Sequence, residues 1–151
     1  MRGVKMPELK LDFSNDIFKD FAKLGNSAEL AGKMLKAASP IVVKAMKSEL
    51  SVHSRTGELV NSIKATKPKK NKSSDNYVVV RPTGNSTTVI AQNGKTYTRK
   101  NKVRNMEKFA SLEFGNSQGQ KPTPVIEKVV KSTEGAVLAK MTEVYNKEVE
   151  K

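Results

Sequence analysis

The chain has 151 residues, a 36% apolar fraction, no tryptophan, no cysteine and a net charge of +13. This length fits one domain, residues 1–151, with a modest core of Leu, Ile, Val, Met and Ala. The missing cysteine excludes disulfides, thiolate metal sites and cysteine nucleophiles, and no apolar run approaches the roughly 20 residues that a membrane-spanning helix needs.

Residues 1–13 alternate charged and apolar side chains without a signal-peptide core, and residues 1–14 are expected to form a flexible lead-in. Ser14 or Asn15 then caps a short helix carrying Ile17, Phe18, Phe21 and Leu24, interrupted at Gly25-Asn26. A second helix begins near Ala28. Leu30, Met34, Ala38, Ile41 and Ala45 follow steps of three and four, and Met46 and Leu50 take over where Glu49 breaks the face. Ser39-Pro40 allows two readings, a fresh helix with Ser as N-cap or one continuous kinked helix.

Thr56 is a natural N-cap for a helical turn that buries Leu59 and Ile63 on one face. Lys64-Ala65-Thr66 reads as a strand leaving that turn. Residues 67–76 are expected to be a mobile basic loop, since 68–76 hold no apolar side chain. Tyr77-Val78-Val79-Val80-Arg81 is the clearest strand, and residues 87–91 form a second. Asn93-Gly94 is a hairpin signal, with a return strand at 95–98. Residues 99–105 form a second expected basic loop, 109–114 a last strand, and 115–120 a flexible connection. Thr123 caps and Pro124 opens a C-terminal helix with Ile126, Val130, Val137, Met141 and Val144 as its apolar stripe. The class is α+β: N-terminal helices, an antiparallel sheet with a long mobile hairpin, and a C-terminal helix packed on the sheet.

The charge is unevenly spread. Residues 1–63 hold ten Lys/Arg and seven Asp/Glu, residues 64–108 hold twelve and two, and residues 109–151 hold six of each. The excess therefore sits in the middle segment, where Lys69, Lys70, Lys72, Arg99, Lys100, Lys102 and Arg104 form a candidate partner interface. Such a segment attracts phosphate or an acidic protein surface, or simply keeps the chain solvated. Tyr77 and Tyr97 are the only aromatics within it, too few for a stacking platform, so any nucleic-acid contact would be to phosphate and indifferent to sequence. His53 is the only histidine and has no cysteine to share a metal with. No phosphate loop, paired carboxylates or serine–base pair stands out, and the chain is read as having no catalytic, metal or cofactor residues.

Two separated elements remain. Thr56-Gly57, Leu59 and Ser62-Ile63 form the first, and Glu113-Phe114-Gly115 with Pro124 form the second. In this order they resemble the small head–tail joining, or tail-completion, proteins of long-tailed bacteriophages and prophages. Asn116 stands where that family usually has Thr, Val125 where an aromatic is common, and Lys128 where a second proline is common. The motif residues read as structural: Thr56 as cap, Gly57 in a tight path, Leu59, Ile63 and Phe114 in the core, Glu113 at a strand end, and Gly115 releasing the chain.

The resemblance implies a non-enzymatic virion protein without cofactors, folded in the bacterial host cytoplasm. It would be a monomer or weak oligomer alone and a homo-oligomeric ring at the neck or tail end. Its partners would be other neck or tail proteins, with DNA contact secondary and no membrane. The alternative is a nucleic-acid-binding protein without sequence preference, acting through residues 64–108.

Overall fold

The computed structural model describes residues 9–11, 27–73 and 75–150. The short helix expected on Ile17, Phe18, Phe21 and Leu24 lies outside the described residues. The longest N-terminal element is α1 (Ser27–Ser51), a single helix of 25 residues with Pro40 inside it. Proline removes the N–H that would bond the carbonyl of Lys36. The Ser39 hydroxyl donates to that same carbonyl at 3.2 Å, and the chain runs as one continuous helix rather than starting a fresh one at Pro40. Met34, Ala38, Val42, Met46 and Leu50, each four residues from the last, are all buried. Leu30, Ile41 and Ala45 flank this stripe, partly buried against it.

The sheet on which α1 packs is organised by β4 (Asn76–Pro82), the β-branched run anticipated at 77–81. It pairs antiparallel with β1 (Leu9–Leu11) and with β2 (Ile63–Ala65), and β3 (Lys69–Lys70) pairs with its first residues. Two expectations change here. Leu9–Leu11, inside the expected flexible lead-in, is a strand in register with Val78–Val80. Lys69 and Lys70, inside an expected loop, are a two-residue strand opposite Tyr77 and Asn76. Val78 and Val80 are fully buried against Ile63, Leu35 and the rest of the core.

A second, separate sheet is the hairpin of β5 (Asn85–Ile90) and β6 (Thr96–Arg104). Asn93-Gly94 turns it as expected. Gly94 has φ 77°, its N–H donates to Ala91 O at 3.0 Å, and the Asn93 side chain accepts from Lys95 N at 3.0 Å. One sheet was anticipated for residues 77–81, 87–91 and 109–114; the first two belong to different sheets, and the third is not a strand.

Residues 109–114 lie in α3 (Asn105–Phe114). Asn105, Phe109 and Leu112 are its buried positions, at steps of four and three, which is helical rather than alternating spacing. Phe114 falls off that face and is 58% exposed, so it is not the core residue anticipated. Its α-helical setting also moves Glu113 from the expected strand end to the last turn of a helix.

The last element, α4 (Val125–Val149), starts one residue later than expected, with Pro124 in the N-cap position and no side-chain bond from Thr123. Its buried stripe is Val125, Val129, Thr133, Val137 and Met141. Ile126 and Val144 only flank it, and Val130 is 43% exposed. The helix joins the same core as Val78 and Val80 while making its most extensive contact with α1. Gly135 sits mid-helix, exposed, with nothing within 4 Å of where a Cβ would project. Gly135→Ala should therefore raise stability by about 0.5–1 kcal/mol, read as a higher urea midpoint at unchanged slope; a lower midpoint would contradict the open helical setting.

Candidate functional site

The first motif builds a turn between α1 and α2 (Glu58–Asn61). Gly57 has φ 73°, a left-handed conformation that favours glycine. Its N–H donates to Ser54 Oγ at 3.1 Å, and Glu58 N donates to Thr56 Oγ1 at 3.4 Å. Thr56 thus supports the turn through its hydroxyl while Gly57, not Thr56, holds the N-cap position. Leu59 and Ile63 are both buried, as anticipated. Ser62 is buried too, its hydroxyl donating to Leu59 O at 2.6 Å while its carbonyl accepts from both the amide and the hydroxyl of Thr83.

The turn aims Glu58 at the hairpin. One carboxylate oxygen accepts from Ser86 Oγ at 2.5 Å and Thr88 N at 3.1 Å. The other accepts from Thr87 N at 3.1 Å, Thr87 Oγ1 at 3.1 Å and Thr88 Oγ1 at 3.2 Å. The Ser86 hydroxyl, with the Thr87 and Thr88 amides behind it, pushes the Glu58 carboxyl down to about 2. Glu58 stands between Gly57 and Leu59 and is not itself one of the motif residues. Its role had no local signal, because its partners lie 28 to 30 residues downstream.

Those partners sit at an irregularity in the ladder. Ser86 faces Val103 and Thr88 faces Thr98, so Thr87 alone stands opposite Arg99, Lys100, Asn101 and Lys102. The basic run expected as a loop is therefore a wide bulge within β6, unpaired across the hairpin and hung on strand residues at both ends. Lys100, Lys102 and Arg104 are exposed, whereas Arg99 is half-buried. Lys69, Lys70 and Lys72 are exposed as well. The structure thus puts the seven candidate cations in two groups, on β3 with its turn and on β6, belonging to different sheets. Among the described residues, no ion pair engages any of the seven.

The second motif is a joint between two helices. Glu113 Oε2 accepts from Val125 N at 2.8 Å and Ile126 N at 3.3 Å, capping α4 from the end of α3. A carboxylate at a helix N-terminus satisfies free N–H groups and complements the helix dipole. Gly115 has φ 75°, and a Cβ there would lie 2.6 Å from Gln120 O. The segment after it, expected to be flexible, is hydrogen-bonded: Asn116 Oδ1 accepts from the amides of Gln118 and Gln120. Glu113→Ala should cost about 1 kcal/mol, the usual worth of an N-cap. Thermal denaturation checks this, and an unchanged midpoint would mean that water replaces the cap without loss.

His53 is exposed, and among the described residues no group of His, Cys, Asp and Glu is placed to hold a metal ion. Among them too, no helix is long and apolar enough to cross a membrane.

The family model described as "Bacteriophage HK97-gp10, putative tail-component" matches residues 15–115, a span that contains both α1 and the hairpin and ends at Gly115. No curated protein sequence and no solved structure matches the chain.

Proposed function

Because this chain belongs to the HK97-gp10-like family of bacteriophage tail components, we propose that it is a neck or tail-completion subunit that assembles as a ring and completes the tail or joins it to the head. The observation that carries the contact surface is the β6 bulge. Lys100, Lys102 and Arg104 are exposed and, among the described residues, without ion pairs, on a hairpin whose base is tied to the body by Glu58. Cations fixed in this way favour a preorganised acidic counterpart, because little ordering entropy remains to be lost on docking. An acidic protein surface fits better than DNA. Stacking residues are few, and a channel that carries DNA must let it slide.

In this role the protein works by assembly rather than by chemistry, and the place of action is the virion. Deleting the gene from an intact phage should leave filled heads and separate tails. Charge reversal of Lys100 and Lys102 together should weaken assembly while leaving the subunit folded, since exposed substitutions usually cost under about 0.5 kcal/mol. Infectious particles made without the protein would refute the assembly role. Tight, salt-sensitive binding of the isolated chain to DNA of any sequence would instead support the nucleic-acid alternative.

A further inference from the structure

An open cavity of about 620 Å3 lies beneath the hairpin, bounded by β5, β6, the turn after α1, and α3. Its volume is in the range of ordinary binding pockets, roughly 300–1,000 Å3. The walls mix apolar side chains, among them Leu59, Val89 and Leu112, with three cations, Arg55, Arg99 and Lys108. Glu107 is the one carboxylate residue in the lining. Glu58 stands nearby, but its oxygens are already taken by the hydroxyls and amides of residues 86–88.

The cations are under-compensated. Among the described residues, Arg99 Nε is buried and has no hydrogen-bond partner. Lys108 reaches only a hydroxyl, donating to Ser86 Oγ. Its ammonium is pushed below the ordinary lysine value, first by burial and then by the neighbouring Arg99 guanidinium, with the Glu58 carboxylate beyond Ser86 offsetting only part of this. Two like charges held together with a buried free donor form a site that an anion completes, because the ligand removes both the repulsion and the unmade bond.

We propose that this cavity seats the carboxylate of an acidic peptide segment from a neighbouring virion protein, between Arg99 and Lys108, with the segment's apolar side chains against Leu59 and Leu112. This rests on the tail-component reading and adds the chemistry of the partner. A duplex presents its phosphates on a convex surface and would meet the outward Lys100 and Lys102 rather than cations inside a concavity. A single strand would want several aromatic faces to stack on, and the lining offers no Phe, Tyr or Trp and only the imidazole of His53.

The test is a titration of the 15N-labelled full-length chain with the blocked peptide acetyl-Leu-Asp-Glu-Leu-amide, using acetyl-Leu-Asn-Gln-Leu-amide as the neutral control. The expected result is saturable shifts at Thr56, Thr88 and Lys108 with the acidic peptide only. Arg99→Gln should weaken binding by about tenfold, the scale of one charge-assisted hydrogen bond. Lys100→Gln should change it by under about twofold, as for a screened exposed charge. Lys108→Gln, on the other side of the seat, gives the same test should Arg99→Gln disturb the hairpin. Equal binding of the neutral peptide, affinity indifferent to both Arg99 and Lys108, or tighter occupation of the same amides by a single-stranded oligonucleotide would overturn the proposal. Its failure is separable from that of the assembly role: the titration reads the isolated chain, whereas the gene deletion reads particles.

Discussion

Phe109→Ala should cost about 3–5 kcal/mol of stability, the usual loss for a buried phenylalanine, whereas Phe114→Ala, five residues on, should change it by under about 0.5 kcal/mol. Phe109 is fully buried in the core formed by α1, β4 and α4, while Phe114 is 58% exposed. The contrast is a direct reading of helical spacing in α3. In a strand the two positions would also face opposite ways, but Leu112 would then share the face of Phe114, and here it is buried with Phe109. Urea denaturation of the two variants, with Leu112→Ala as a third, checks this. Similar losses for both phenylalanines would overturn the placement of α3.

Glu58→Ala should cost about 2–3 kcal/mol at neutral pH, the scale of hydrogen bonds to a charged group, and should do so mainly by releasing the hairpin. The side chain receives two amides and three hydroxyls of residues 86–88. Its loss leaves the body and the second sheet joined through Asn105, whose amide and side chain bond Gly84 O and Thr83 O, and through Lys108, which donates to Ser86 Oγ. The sign of the pH dependence follows from the folded carboxyl, at about 2 against an ordinary 4.5. A depressed acid contributes its stabilisation in full above its unfolded value and loses it as pH falls toward the folded one. The stability gap between wild type and variant should therefore be constant from pH 7 to about 5 and shrink from there toward pH 2. A gap that stayed constant down to pH 2.5 would contradict the charged lock. Amide exchange should quicken in β5 and β6 of the variant well before it quickens in β4.

What could be read from residue order alone was what neighbours decide. The helical spacing from Leu30 to Leu50, the β-branched stretch of β4 and the Asn93-Gly94 turn each carry their own signal within a few residues, and each element stands where expected, although in the helix Val42 is buried where Ile41 and Ala45 only flank the stripe. Leu59 and Ile63 are buried as expected, though Ile63 opens β2 rather than lying in the helical turn with Leu59. The misreadings share a different cause. Residues 109–114 form a window too short to separate periods of two and 3.6, and the decisive Asn105 lay outside it. In α4, Ile126 and Val130 fit an apolar stripe by residue type, whereas Val125, Val129 and Thr133 are buried, with threonine able to sit inside by donating to Val129 O. The lock made by Glu58 and the cap made by Glu113 bridge 28 to 30 and 12 to 13 residues respectively, and no local rule pairs them. The cavity with Arg99 and Lys108 is of the same kind, since it exists only once the hairpin is laid over α3.

The mismatch between one residue on β5 and four on β6 has a bearing on how such a surface evolves. The ladder closes at Ser86 with Val103 and resumes at Thr88 with Thr98, so the register on either side is set without the intervening residues. Adding or deleting a residue among the exposed 100–102 changes the reach and charge of the protrusion but slips neither flank, whereas an insertion at an ordinary paired position would turn every following side chain to the opposite face. The chain thus keeps, within an ordered hairpin, a short stretch whose length and composition are free to follow a changing partner without renegotiating the fold.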